Sequence, residues 1–351
     1  MLTNKTIVVT GGTGSLGKVL VRRLLSGEIG LPQKITVFSR DEAKQNDMRL
    51  AYQHRKVATD EVIYHNFEQL LQFRIGDVRD IHSISTVLRD ADVVFNAAAL
   101  KQVPSCEYFP YEAVETNILG AENIVRAIRE HALPVETVVG VSTDKACKPV
   151  NVMGMTKAIQ ERIFVRANLD SLKTRFICVR YGNVLASRGS VVPLFREQIG
   201  RGGPVTITTS EMTRFLLSLD QAVHTIFAAL RDANAGETYI PRVPSARVVD
   251  IAEVLIGDRP IEMKITGIRP GEKVHEILVS EEEAHRTTAR GDYYAIVPML
   301  PELVTAKVER PLEKEYSSND LLMTKQELAE LLKKHNLTVE DNLELSEDVL
   351  A

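Results

Sequence analysis

Ser142-Thr143-Asp144-Lys145 sets hydroxyls, a carboxylic acid and an amine side by side, and Met153 and Lys157 follow a short way downstream. Groups of these types can give and take protons at neighbouring atoms of one substrate. They need an element that presents them. Thr137 to Val141 (TVVGV) is a short β-branched run that reads as a buried strand, and the polar cluster begins where it ends. Ligands of an open parallel sheet gather at the carboxyl ends of its strands. From Met153 the pattern MGMTKAIQERIF turns helical, so Met153 and Lys157 share a face that looks toward the same pocket. A polar strand end before an ordinary amphipathic helix would read the same way, so the rest of the chain decides.

Thr6 to Thr10 (TIVVT) reads as a buried strand running into Gly11-Gly12-Thr13-Gly14-Ser15-Leu16-Gly17 and then the helical KVLVRRLL. A strand, a glycine turn and a helix in this order bind a dinucleotide. The glycines tighten the turn, admit a pyrophosphate to backbone N–H groups and let helix and sheet pack closely. The next strand, Lys34 to Phe38, ends in Ser39-Arg40 where NAD-binding folds often carry a carboxylate. A hydroxyl and a guanidinium there favour the 2′-phosphate of NADP. A charged helix (DEAKQNDMRLAYQ) leads to a strand over Leu70 to Ile75 and to Asp77-Val78, expected to meet the adenine. Strand Asp92 to Phe95 opens into Asn96-Ala97-Ala98-Ala99, small enough for backbone to lie against a flat cofactor, and Lys101 follows. Leu100 to Pro110 has no period. The helix after it carries Asn117, expected on the cofactor side. This alternation predicts an α/β fold, a doubly wound parallel (Rossmann) sheet, over residues 1–185.

A chain of 351 residues suits one large α/β unit or a main domain with a smaller lobe. The formal net charge is −4 and no basic run stands out, which argues against nucleic acid or an anionic membrane as partner. Cys106, Cys147 and Cys178 are odd in number and share no CxxC spacing, so neither a disulfide framework nor a metal site is expected. That usage fits a reducing cytoplasm. Met1 leads directly into a strand and no apolar run reaches membrane-spanning length, so a soluble protein is expected.

After the strand Arg175 to Arg180 and Asn183, composition shifts through Ser187-Arg188-Gly189, and a helix over Val192 to Ile199 follows. Short strands (VTIT, ETYIP), a Gly202 to Pro204 turn, a helix over Asp250 to Ile256 and a strand over Ile261 to Ile265 predict a smaller α+β substrate lobe over 186–298, with later segments returning to the main domain. Arg214 and Arg269 are candidates to clamp a diphosphate, and Glu272 to accept from a ribose hydroxyl. Taken singly, each arginine also reads as a solvated cation. Residues 299–351 form a charged extension in which Thr324 and Glu327 make a capping box before ELAELLKKH. The stripe Leu328, Leu331, Leu332 must pack on a partner subunit, making a homo-oligomer, or on the back of the main domain.

The glycine turn, the strand-end Asn-Ala-Ala-Ala and STDKA followed by NVMGMTK resemble the extended short-chain dehydrogenase/reductase superfamily. Within it the chain resembles the soluble dehydratases that act on UDP-N-acetylglucosamine at C4 and C6. SRDEAKQ, NAAALKQVP, RYGNVLASRGSVVPLF, EMTRF and IRPGEKVHEIL fall in the order of family segments from Lys5 to about Leu278, and EYSSND is similar to the ending of the capsule-forming branch. The superfamily's tyrosine, four residues before the helical lysine, is Met153 here. A thioether exchanges no proton, so the usual base at the C4 hydroxyl is missing.

The resemblance implies an internal redox cycle on a UDP-sugar with NADP: hydride leaves C4, water is lost across C5 and C6, and hydride returns to C6. Lys145 would be the base at C5 and Asp144 the acid at the C6 oxygen. Burial or the cation Lys157 would lower the pKa of Lys145, and desolvation would keep Asp144 protonated. Thr143 would bond the 4-oxygen and Lys157 the nicotinamide ribose, while Lys101 and Asn183 lie in segments that reach the sugar. The face on which C5 is reprotonated stays open. A UDP-sugar 4-epimerase or keto-sugar reductase shares the fold and cofactor but needs no acid and base beyond C4. A non-catalytic NADP-binding regulator is favoured only by Met153.

Overall fold

The computed structural model describes residues 1–54, 61–171, 173–185, 190–304, 308 and 311–341. Strand β1 (Thr6–Thr10) is buried throughout. Its Ile7 and Val9 pack with one helix layer and Val8 with the other, as a strand covered on both faces requires. The chain continues through α1 (Ser15–Leu25), β2 (Lys34–Ser39), α2 (Glu42–His54), α3 (Glu61–Leu70), β3 (Leu71–Ile75), α4 (Ile81–Val87) and β4 (Val93–Asn96). The stretch without a legible period forms α5 (Val103–Tyr108) and α6 (Pro110–Ala113), which run through a π-helical segment at Val114–Leu119 into α7 (Gly120–Glu130). Then come β5 (Thr137–Thr143), a 3-10 turn over Asp144–Ala146, α8 (Val152–Asp170) and β6 (Arg175–Tyr181).

The second half holds α9 (Val191–Gly200), β7 (Val205–Ile207), β8 (Thr213–Phe215), α10 (Leu219–Asp232), β9 (Thr238–Pro241), β10 (Ser245–Arg247), α11 (Val248–Ile256), β11 (Met263–Ile265) and β12 (Ile277–Val279). It ends with α12 (Glu281–Ala284), β13 (Thr287–Arg290), β14 (Tyr293–Ile296), β15 (Tyr316–Ser317) and α13 (Lys325–Lys334). The main sheet runs β13-β14-β9-β6-β5-β4-β1-β2-β3. From β3 across to β9 neighbouring strands are parallel; β14 and β13 join antiparallel. The ETYIP strand, read from sequence as part of the lobe, is therefore the parallel neighbour of β6. The lobe keeps α9, α11 and the paired strands β8–β10 and β7–β11. Its expected start at residue 186, with Ser187, Arg188 and Gly189, lies outside the described residues. Among the described residues no helix is long and apolar enough to cross a membrane.

The Thr324–Glu327 capping box forms. The stripe it starts buries Leu328 and Leu332 in the lobe core beside Phe195 and Ile251, with Leu331 at the edge. Its partner is thus the lobe, neither a second subunit nor the back of the main domain. The tail before it pairs β15 antiparallel to β12, laying EYSSND against the segment Glu276 to Val279. Leu332→Ala should cost about 2–5 kcal/mol, the usual range for emptying such a site, and lower the denaturation midpoint of the lobe. An unchanged midpoint would show that α13 is no part of that core.

Candidate active site

β1, β2 and β4 end side by side, with Thr10 in register with Phe38 and Asn96, and the glycine turn lies over them. Gly17 packs so closely that a Cβ would stand 2.5 Å from the Gly12 Cα. Gly14 differs: a Cβ there would meet only the Gly11 carbonyl oxygen, at 3.4 Å. The protein's own packing does not need that space. No side chain caps α1 at Gly14, so the first-turn N–H groups of Ser15, Leu16 and Gly17 lack the capping partner that helix starts usually have. The open cradle and these donors fit the pyrophosphate of a dinucleotide. Leu16 packs on the core beneath. The buried Thr13 hydroxyl donates to Ser39 Oγ at 3.3 Å, tying the turn to the end of β2.

Arg40 is exposed and lies 3.6 Å from Asp77. Burial pushes the Asp77 carboxyl up, but hydrogen bonds from Arg79 and the Arg40 charge outweigh it and hold the group below the usual range. Two expectations change here. The Val78 side chain is buried in the core, so it is not free to meet an adenine. Asn117, inside the π-helical segment, is wholly buried. It accepts from the Leu100 N–H at 2.8 Å and donates to the Leu100 carbonyl at 3.0 Å and to Thr156 Oγ1 at 2.9 Å. Its amide is spent holding the loop after β4, where Ala97 and Ala98 are half-buried and Ala99 is exposed.

At the end of β5 the expected cluster comes together. The Thr143 hydroxyl donates to Asp144 Oδ1 at 2.8 Å. Lys145 Nζ donates to the same oxygen at 3.1 Å and to Asn183 Oδ1 at 3.0 Å. Asp144 is fully buried, and its Oδ2 has no hydrogen-bond partner. Gly154 makes room for this turn, because a Cβ there would come 2.2 Å from the Lys145 carbonyl oxygen. One member of the cluster was not read from the sequence. Glu276, 3% exposed, stands 3.5 Å from Lys145 Nζ and 3.8 Å from Arg214 Nε. Burial works against the charged form of Lys145, but Asp144 and Glu276 outweigh it and raise its pKa above the ordinary lysine value. This reverses the expectation of a lowered Lys145.

Lys157 is lowered instead. It donates to the Val141 carbonyl and to Gln160 Oε1, each at 2.6 Å, and burial brings its pKa down to about 8. Met153 is not presented to the cluster. Its thioether is packed with Cys106 and Ala113, against Leu100 and Val103, so the expected catalytic position is filled by an apolar contact. Behind β5, Ser142 donates to Glu161 at 2.5 Å. Glu161 and Glu283 both clasp the buried Arg180. Burial pushes Glu283 up, yet the charge and hydrogen bond of Arg180 prevail and hold it at about 2. A charged residue inside the RFICVR strand was the one sequence sign of this network.

The proposed diphosphate pair separates. Arg214 is buried and donates to the carbonyls of Thr213 at 2.7 Å and Val274 at 3.1 Å, so it belongs with Glu276. Arg269 is exposed in the turn before β12. Glu272, half-buried, has an unpartnered Oε2, and Asn151, which caps α8, donates to the neighbouring Gly271 carbonyl at 2.7 Å. Lys101 stands exposed between β4 and α5.

The 3-2-1-4-5-6 order of the parallel strands, the glycine turn and the strand-end cluster define a short-chain dehydrogenase/reductase fold. The family model described as polysaccharide biosynthesis protein matches residues 7–298, and the chain belongs to that family. The UDP-N-acetylglucosamine 4,6-dehydratase (inverting) of Campylobacter jejuni is 41% identical over 303 residues, 86% of this chain and 85% of its own. The UDP-glucose 4-epimerase of Rickettsia canadensis is 42% identical over 301 residues, 84% of each chain. Among solved structures, Pen from Bacillus thuringiensis matches with a TM-score of 0.84 at 32% identity, covering 96% of this chain and 99% of its own.

Lys157 supplies a test of the buried site. Its folded value of about 8 lies below the ordinary 10.5, so across that interval the unfolded chain binds the extra proton and native stability rises with pH. Relative to Lys157→Met, the native unfolding free energy should therefore climb between these pH values and stay level below them. A difference that is flat throughout would mean that Lys157 stays charged in the folded protein.

Proposed function

We propose that this chain is an NADP-dependent UDP-N-acetylglucosamine 4,6-dehydratase. The observation that carries the reading is the acid and base at the end of β5, where Lys145 Nζ lies 3.1 Å from Asp144 Oδ1. When bound, the nicotinamide supplies the hydride acceptor for C4 and donor for C6. Gly11, Thr13, Gly14, Ser15, Leu16 and Gly17 would hold its pyrophosphate. Ser39 and Arg40 would hold the 2′-phosphate, and Lys157, with two of its three donors spent inside the protein, the ribose. Arg269 and Glu272 would take the UDP end.

The remaining chemistry is proton transfer by this chain's own groups. A sugar O4 resting on the Thr143 hydroxyl has a route for its proton into Asp144, 2.8 Å away. That route replaces the phenol absent at Met153. Lys145, aimed by Asn183, removes the C5 proton made acidic by the 4-keto group. Asp144 then protonates O6 as it leaves as water, and Lys145 returns a proton to C5.

A second reading, a UDP-sugar 4-epimerase, is favoured by the name of the Rickettsia relative. It leaves the buried acid and base without work, because epimerisation changes C4 alone. Asp144→Asn and Lys145→Met should each lower dehydration of UDP-N-acetylglucosamine by at least ~100-fold, the lower end for general acid or base catalysis, while NADP binding holds. Lys145→Met should also lose exchange of the C5 hydrogen with deuterated water. Near-native dehydration by both variants would turn the reading toward the epimerase, and tighter binding of NAD than NADP would overturn the assignment of Ser39 and Arg40.

A further inference from the structure

The proton count of the reaction does not close on Asp144 and Lys145 alone. In the resting site Lys145 is an ammonium held against Asp144, so the pair carries one proton. Oxidation at C4 delivers a second, the O4 proton, through Thr143 to Asp144. Asp144 is now the acid that O6 needs, but Lys145 is still an ammonium and has no lone pair for the C5 proton. A third group must take the Lys145 proton before elimination and give it back afterwards.

We propose that Glu276 is that proton holder, a positioning residue that arms Lys145 by accepting its proton. The inference rests on the dehydratase reading above. Glu276 is 3% exposed, its Oε1 stands 3.5 Å from Lys145 Nζ, and its Oε2 has no partner. A buried carboxylate with an unspent oxygen beside a cation is costly unless it is used. Its backbone is fixed from both sides: the Glu276 N–H donates to Ser318 Oγ at 2.9 Å, and its carbonyl accepts from the Ser318 N–H at 2.8 Å. The charged and titratable groups facing this pair are Asp144 on the 3-10 turn, Arg214 on β8, and Lys273 with Cys147 on the loops between. His275 points to Thr213, at 2.8 Å.

The accounting then balances. Lys145 passes a proton to Glu276. The C5–H bond breaks, its proton going to Lys145 and its electron pair forming C5=C6 as the C6–O6 bond breaks, and the Asp144 proton leaves with O6 as water. Once C6 has received its hydride, the C5=C6 pair takes the proton back from Lys145 at C5. Glu276 returns the stored proton to Lys145, and the site is again one ammonium between two carboxylates.

Glu276→Gln keeps the shape and an oxygen toward Lys145 but cannot hold a proton. In a single turnover on UDP-N-acetylglucosamine it should still oxidise C4, giving a keto sugar that has kept its water and is trapped as an oxime. C5 exchange and water loss should fall by at least ~100-fold. Glu276→Asp, which keeps the carboxylate, should recover part of the elimination. Loss of all steps together, with NADP binding intact, or native rates of C5 exchange in Glu276→Gln would overturn the proposal. The substrate-free protein gives a second reading. In NMR titration of carbon-labelled lysine, Glu276→Gln should lower the Lys145 midpoint by about 1–3 units, the usual effect of a neighbouring opposite charge; an unmoved midpoint would refute the coupling. A native protein that dehydrates no UDP-sugar would instead bring down the function reading, and the proton-holding role with it, whatever the titration shows.

Discussion

One lysine ammonium between two buried carboxylates is the interaction on which the site depends. Lys145 would be an uncompensated charge without Asp144 and Glu276; without Lys145, Asp144 would lose its ion pair and Glu276 would keep the looser one with Arg214, at 3.8 Å. Breaking a buried pair of this kind by removing one partner costs roughly 3–5 kcal/mol. The surroundings are built to prevent that. Asp144 and Lys145 ride on the end of β5, the chain neighbour of β4 and β6 in the main sheet. Gly154 lets α8 close on the turn. Glu276 stands just before β12 and is pinned by Ser318 from the tail. The main sheet, the segment before β12 and the C-terminal extension thus each contribute to holding one cation.

The consequence is that charges from the second half of the chain turn inward. Arg214, which looked like a free cation for a diphosphate, is drawn inward to Glu276 and to two backbone carbonyls. The second charge network, Arg180 with Glu161 and Glu283, does the same on the other side of β5, and through Ser142 it fixes the strand that carries Thr143. Two ion clusters therefore bracket the end of β5. Such clusters hold a geometry when every charge in them is paired, and Asp144 and Glu276 each keep one oxygen without a partner.

Much of this was legible in the sequence, for local reasons. The strand TIVVT, the glycine turn and the helix after it announce themselves by period and turn chemistry, as does the capping box at Thr324 and Glu327. STDK could be placed at a strand end because the β-branched run before it is short and buried. What was hidden depends on tertiary neighbours. Glu276 in VHEIL reads as an ordinary polar position; only the arrival of Lys145, Arg214 and Ser318 from distant parts of the chain makes it buried and charged among charges. The same holds for the raised Lys145, whose direction is set by Glu276. Asn117 and Val78 lie in the right segments, but packing turned their side chains inward. Met153 was seen to lack a proton, while its apolar seat against Cys106 and Ala113 was not, because Leu100 to Pro110 shows no helical period and still forms α5.

The central claim is that acid and base act on carbons beyond C4 while the redox change is returned within one sugar. The direct measurement is to incubate the purified protein with its cofactor and UDP-N-acetylglucosamine deuterated at C4, adding no reductant, and to locate the label in the product by NMR and mass. The account predicts a product lighter by one water with the deuterium in the C6 methyl group. Deuterium retained at C4 of a sugar that has kept its water and changed only its C4 configuration would contradict it.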